Sequence, residues 1–398
     1  MNMMRLLGGI LLIVGTAVGG GLLALPIATA QIGFFYSTLL LFGCWFVMTA
    51  SAFLILEVNL WLPRNNNLVS MAKATLGLPG QVVTWITNLL LFYSLLAAYI
   101  AGGTDFLRNL LTNADIHIAS PVASILFTII LGSVVYWGIR TIDYVNRGLM
   151  IVKFTSYFLL VILILPHISA TNLSGGELPY ITGSITVALT SFGFATIVPS
   201  LRVYFHDDKS KLRLAIMIGS LIPLICYILW NLVIMGMISR NGDNGLIAIL
   251  HSGRSTSEFV EQLHVLLQNN TITYIARLFT SICLATSFLG VSLGLSDFIA
   301  DGFGVERHGW KNLFVIVVTF LPPLVIALYY PGAFVKALSY AGIYVAILMV
   351  LMPALMVWQG RYRKKIANGY QVMGGKVLLI ALIVASIIVV GQSVVSMF

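Results

Sequence analysis

Charge is scarce in this chain: Asp, Glu, Lys and Arg together make up 9% of 398 residues. Soluble domains run near a quarter charged, because a water-facing surface has to be covered with polar groups. That shortage excludes a soluble globular protein, since most of this surface must face lipid. Cysteine is scarce too. Cys44, Cys226 and Cys283 all fall inside apolar runs, with no disulfide framework, CxxC pair or zinc spacing. The six histidines (His117, His167, His206, His251, His264, His308) lie outside apolar runs or at their edges, which argues against a histidine relay through a bilayer. No GxxxxGK[ST] phosphate loop occurs, so ATP hydrolysis is not expected to drive anything here. The net charge of +9 lies mostly between apolar runs, which reads as membrane topology and not as nucleic-acid binding.

What the chain has in abundance is hydrocarbon: 59% of residues are hydrophobic and the mean hydropathy is +0.99. A spanning helix needs about 20 apolar residues. Apolar runs between charged, Gly, Pro and Asn punctuation predict eleven spans, at 6–30, 34–61, 80–103, 121–138, 146–166, 183–201, 213–238, 272–299, 312–329, 333–358 and 374–397. With the N-terminus inside, 16 Lys and Arg residues fall on the cytoplasmic side. Arg140, Arg147 and Arg307 are among them, as is the Arg361–Lys365 run. Only Arg108, Arg240, Arg254 and Lys336 fall outside. The positive-inside rule then predicts a cytoplasmic N-terminus and a periplasmic C-terminus. The first run, after Arg5, is too long and too rich in glycine for a signal peptide. The longest loop, 239–271, contains a polar, helix-compatible stretch at Ser257–Leu267 that suits either a surface connector or an outer lid.

Glycine interrupts two of the spans in the same way. Gly15-Thr16-Ala17-Val18-Gly19-Gly20-Gly21 precedes Pro26 in the first, and Ser191-Phe192-Gly193-Phe194-Ala195 precedes Pro199 in the sixth. Each interior glycine costs a helix about 1 kcal/mol and each proline about 3. In hydrocarbon, the backbone groups this frees survive only inside protein or beside a polar cavity. The Gly15/Gly19 pair also fits GxxxG helix packing, but the matched second break favours a functional reading of both. Spans five apart run in opposite directions, so the pattern predicts an inverted five-plus-five repeat: 1–166 as the first half, 183–358 as the second, and 374–397 as an added helix. Half-helix N–H groups suit a carboxylate and unwound carbonyls suit an ammonium, so the breaks predict a site for a zwitterion, an amino acid.

Ionisable residues within the spans are few: Glu57, Lys153, Arg277 and, near an end, Asp297. Lys153 lies seven residues past Asn146, about 10 Å into the bilayer. A lysine taken out of water is a candidate for proton exchange, and when charged it can stand in for a coupling cation. Glu57, one turn from Pro63, suits a partner for a basic residue or a gating role equally well. Asp297 reads as a helix-end charge or a proton-coupling group, and Arg277 as a side chain reaching outward. Of the aromatics near the breaks, Phe192, Phe194, Tyr93, Tyr99 and Phe288 are candidate ligand contacts, with Phe192 and Phe194 favoured because they flank the second break.

These stretches resemble the hydroxy and aromatic amino acid permeases. The resemblance is carried by GTAVGGGLLALP (Gly15–Pro26), LEV (Leu56–Val58), TSFGF (Thr190–Phe194) with Pro199-Ser200, ATSFLGVSLGLSDFIAD (Ala285–Asp301), TFLPP (Thr319–Pro323) and YAG (Tyr340–Gly342). It implies an all-α membrane protein of eleven helices with discontinuous helices one and six, the LeuT-like fold of the amino acid–polyamine–organocation superfamily. It also implies a proton-driven importer of tyrosine or a related neutral amino acid (tryptophan, phenylalanine or a small hydroxy amino acid) in the bacterial inner membrane. Its partners are then the amino acid, protons and the lipid bilayer, with no cofactor, no metal and no nucleic acid. By the same resemblance, Thr16, Ala17, Gly19, Gly20 and Gly21 receive the carboxylate and amine. Phe192, Gly193, Phe194 and Ala195 complete the site, and Lys153 resembles a replacement for bound sodium. The sequence departs from the family at Ala195-Thr196, where relatives read His-Gly, so an imidazole beside the pocket is absent. A channel would need a pore-lining polar ring, and an enzyme would need a nucleophile–base or paired-carboxylate constellation inside the spans. The sequence offers neither.

Overall fold

A computed structural model of the chain describes residues 3–64, 66–112, 114–136, 139–305 and 309–395, without the side chains of 139–145 and 147. Arg140, Arg147, Arg307 and His308, and the expected span ends 137–138 and 396–397, therefore lie outside the described residues.

The first apolar run folds as two helices, α1 (Met3–Ala17) and α2 (Gly20–Ala28), bent by 49°. α3 (Gly33–Trp61) follows, then α4 (Leu68–Thr112), α5 (Ser120–Tyr136) and α6 (Ile139–Ile164). A short outer turn, α7 (Ala170–Leu173), leads to α8 (Ile181–Ser191). A 3-10 stretch over Gly193–Ile197 then connects it to α9 (Val198–Tyr204). α10 (Lys209–Met237) precedes the small helices α11 (Leu246–His251) and α12 (Ser255–Leu267). The chain closes with α13 (Asn270–Phe303), α14 (Gly309–Tyr329), α15 (Phe334–Val345), α16 (Met352–Trp358) and α17 (Gly375–Val395). α15 runs into α16 through a π-helical segment, Ala346–Leu351.

The protein is a multi-pass membrane protein. Among the described residues nine helical segments are long and apolar enough to cross a bilayer, and a tenth is reached by counting α1 and α2 as one bent span. α5, at 17 residues, is apolar but shorter. Helix ends follow from local chemistry. Asp208 caps α10 by accepting from the Lys211 N–H, and Asn269 caps α13 by accepting from Thr271 at 2.9 Å. Gly304, with φ of 62°, ends α13 in the left-handed region where glycine is unstrained. One expected loop is helical: α4 begins at Leu68, twelve residues before the predicted span, and kinks at Gly77 (φ 79°) ahead of Pro79. The polar helix expected within 257–267 is found as α12. Its N-terminus is held from outside, because the Asp105 carboxylate of α4 accepts from the Thr256 hydroxyl, the Ser257 N–H and the Ser257 hydroxyl at 2.6–2.8 Å.

Packing places the breaks at the centre. α1 lies on α10, α2 on α8, α13 on α6 and α4, and α15 on α4 and α8. α17 packs against the π-helical segment, α16 and α8.

Candidate functional site

The first break begins where α1 ends at Ala17. Gly19 has an extended backbone (φ −153°, ψ −141°), and no side chain of its own caps α2. Glycine is required here by proximity. A methyl group added at Gly20 would lie 2.5 Å from the Tyr99 ring, and one at Gly21 would lie 3.1 Å from the Ser191 α-carbon. The second break is tighter than the predicted uncoiling: the helix stops at Ser191, and the backbone is drawn into 3-10 turns over Gly193–Ile197. It is a change of helix type, not an open loop.

Side chains from other helices satisfy the freed groups. The Lys153 ammonium, 1% exposed, donates to the Val18 carbonyl at 2.6 Å and lies 3.4 Å from the Thr286 hydroxyl. The Gly20 N–H donates to Ser287 Oγ at 2.8 Å, and Ser287 in turn hydrogen-bonds with the Tyr99 hydroxyl. The Tyr227 hydroxyl of α10 lies 2.7 Å from the Ala17 carbonyl and 2.6 Å from the Ser191 carbonyl, one from each break.

A cavity of about 460 Å³ opens between the breaks. Thr16, Ala17, Gly19, Gly20, Gly21 and Gly193, all candidates from the sequence, line it together with Thr190, Ser191, Thr196, Thr286, Ser287 and Gly290. Leu91, Phe92, Leu95 and Tyr99 form one wall, on a single face of α4. The cavity continues past Leu12, Met150 and Asn146 toward the chain's N-terminal face. At its other end the helices close: the Thr186 and Ser339 hydroxyls meet at 2.7 Å, and the Thr190 hydroxyl donates to the Leu338 carbonyl at 3.1 Å.

Several predicted contacts lie behind the wall. Phe192, Phe194 and Ala195 are fully buried and do not line the cavity. Phe192 instead packs edge-on against Tyr227, with ring centroids 5.1 Å apart. The Tyr93 hydroxyl donates to the Val318 carbonyl of α14 at 2.9 Å, and Phe288 stacks on Phe320. Sequence reasoning chose Tyr93 where the wall uses Phe92, one residue and about 100° of helical rotation away. It missed Ser287 and Tyr227, whose only signal was a polar group inside an apolar run.

Glu57 and Asp297 are not among the residues that line the cavity, although Asp297 lies one turn beyond the lining residue Gly294. Glu57, fully buried, pairs in a bidentate fashion with Arg361 at 2.6 and 2.5 Å and accepts from the Val372 N–H at 2.7 Å. Asp297 is half-buried on α13 and is engaged by a neighbour. Arg277 is also half-buried, with no partner for its Nε among the described residues. On the same face as Glu57, the Arg202 guanidinium binds Asp207 at 2.6 Å and the Leu62 carbonyl at 2.8 Å, while Arg64 also pairs with Asp207. The Arg202 hydrogen bond, with Arg64 behind it, holds the Asp207 carboxyl below the usual carboxylate range. Among the described residues no group of three or more His, Cys, Asp or Glu side chains is arranged to hold a metal.

Several transport proteins are similar to this chain over most of its length. Tyrosine-specific transport system 1 of Haemophilus influenzae is 34% identical over 393 residues, covering 97% of this chain and 96% of its own. The tryptophan-specific transport protein of the same organism is 33% identical, covering 94% and 92%. Glutamine transporter 2 of Aliivibrio fischeri is 31% identical, covering 89% and 88%. The tryptophan/tyrosine permease family profile matches residues 2–393. The chain therefore belongs to the tryptophan/tyrosine permease family, a family of transporters and not of enzymes.

Proposed function

We propose that this permease carries an aromatic amino acid, tyrosine foremost, into the bacterial cell across the inner membrane, in symport with protons. The observation that carries the reading is the meeting of two interrupted helices, one from each half of the chain, on one 460 Å³ cavity with polar backbone on both sides. Backbone and hydroxyls at Gly19–Gly21 and Ser287 suit the carboxylate, and the carbonyls around Ala17 and Ser191 suit the ammonium. Lys153 is the proton-exchanging group: it is buried, its ammonium rests on the Val18 carbonyl, and residue 195 offers no imidazole.

The proposed frame is the eleven-span, five-plus-five LeuT-like arrangement, with halves 1–166 and 183–358 and the added helix 374–397. Its N-terminus lies in the cytoplasm and its C-terminus in the periplasm. Spans one, two, six and seven rock against the rest. The cavity's run toward Asn146 and Leu12, with Thr186 and Ser339 closing the opposite end, supports an inward-facing conformation. The domain halves, and Glu57 and Asp297 as gating groups, belong to this reading as well.

The decisive experiment is uptake of labelled tyrosine into proteoliposomes under an imposed pH gradient, competed with tryptophan, phenylalanine, leucine and glutamine. Saturable uptake that follows the gradient and is competed best by aromatics is expected. Flux without saturation, or indifference to the gradient, would overturn the symport reading.

A further inference from the structure

Asn146 lines the cavity, and its Oδ1 is buried with no hydrogen-bond partner among the described residues. A buried amide oxygen left unpaired costs free energy, so its persistence in a cavity wall calls for a ligand to complete it. The surroundings specify which kind. Leu12, Met150, Phe92, Leu95 and Ile197 make this end of the cavity apolar. The hydroxyls nearby are committed elsewhere: Thr16 donates to the Leu12 carbonyl at 2.8 Å, and Thr196 lies 3.5 Å from the Gly193 carbonyl. A ligand filling this space is therefore a flat or bulky hydrocarbon tipped with one donor.

The placement matches a zwitterion held at the breaks. Asn146 and Lys153 both lie on α6, seven residues apart. Seven residues are close to two full turns, so both side chains leave the same helix face, about 10 Å apart along the axis. That separation is near the reach of an aromatic amino acid from its α-substituents to a polar ring atom, with one hydrogen bond added. We infer that Asn146 is the specificity-determining residue of the cavity, accepting from the phenol O–H of tyrosine or the indole N–H of tryptophan and discriminating against phenylalanine. This rests on the cavity being the amino acid site proposed above. Phenylalanine fills the same volume but leaves Oδ1 without a donor, and a site built to bond a substrate hydroxyl rejects the analogue that lacks one.

Competition against labelled tyrosine uptake in proteoliposomes tests the assignment. For the unaltered protein, tyrosine and tryptophan should compete roughly 10- to 100-fold better than phenylalanine. Asn146→Leu should weaken tyrosine, strengthen phenylalanine and bring the two within a few-fold, with phenylalanine uptake reporting that the variant folds. Asn146→Ser, which keeps an acceptor on a shorter arm, should retain part of the preference. Equal competition by tyrosine and phenylalanine in the unaltered protein would overturn the inference. So would an unchanged ratio in Asn146→Leu, or glutamine as the best competitor. Each of these leaves the carrier reading standing. Loss of saturable uptake for every amino acid would instead remove the carrier reading itself.

Discussion

Adding a single methyl group at Gly20 is the sharpest probe of the first break. In Gly20→Ala the new carbon would sit 2.5 Å from one Tyr99 ring carbon and 3.1 Å from the next. The ring is 6% exposed with its hydroxyl engaged by Ser287, so it can yield only into the cavity that it lines, the space a ligand would take. Overpacking of this kind costs about 1–3 kcal/mol. Expressed at the site, that is roughly a 5- to 150-fold loss of substrate affinity. Helix propensity pulls the other way, because alanine in α2 gains up to about 1 kcal/mol over glycine. Thermal stability should therefore change less than binding does. Gly148→Ala is the control, since Gly148 is an exposed residue of α6 where an added carbon meets nothing within 4 Å. Tyrosine binding to both purified variants, measured by scintillation proximity beside melting curves, should separate them. Gly20→Ala binding tyrosine as tightly as the unaltered protein would refute the claim that Tyr99 and the break are packed around the ligand.

Three further outcomes are expected. Lys153→Met removes the donor to the Val18 carbonyl but also a buried charge, so the protein should still fold while uptake ceases to respond to the pH gradient; retained pH dependence would remove Lys153 from proton coupling. Glu57→Gln should cost about 3–5 kcal/mol, because it leaves the Arg361 charge buried with 7% exposure, and combining it with Arg361→Gln should recover much of that loss in a double-mutant cycle. Asp207 has its carboxyl held below the ordinary value of about 4, so the stability it supplies is complete above that pH and is lost as pH falls through the lowered value. The melting difference between Asp207→Asn and the unaltered protein should accordingly be constant from pH 7 to 5 and shrink only in stronger acid.

The sequence announced the helices and the interruptions but not the rotation of each helix. Clusters such as Gly19-Gly20-Gly21 are visible because glycine weakens a helix wherever it lies, while the second break is marked only by Gly193 ahead of Pro199. Rotation is harder. A helix that is apolar on every side, as these are, carries no polar stripe to say which residues face a cavity. That is why Tyr93 was preferred to Phe92, and why Phe192 and Phe194 were expected to point inward when their rings pack behind the wall. Ser287 and Tyr227 went unnoticed because their partners are backbone atoms nearly 270 and 210 residues away in the chain, a pairing that no local pattern encodes. Glu57 was legible as a charge needing a counter-ion. Its counter-ion, Arg361, could not be chosen among the basic residues at that end.

The Tyr227 hydroxyl carries one hydrogen and faces two carbonyl oxygens, at 2.7 and 2.6 Å. At any instant one of the two is served and the other is not. The contact is thus a stitch drawn through three segments of the chain, and it ties the ends of α1 and α8 to the middle of α10. If either end shifts by more than the span of a single O–H···O bond, the seam opens, so the two interruptions stay together only while the hydrogen can pass from one carbonyl to the other.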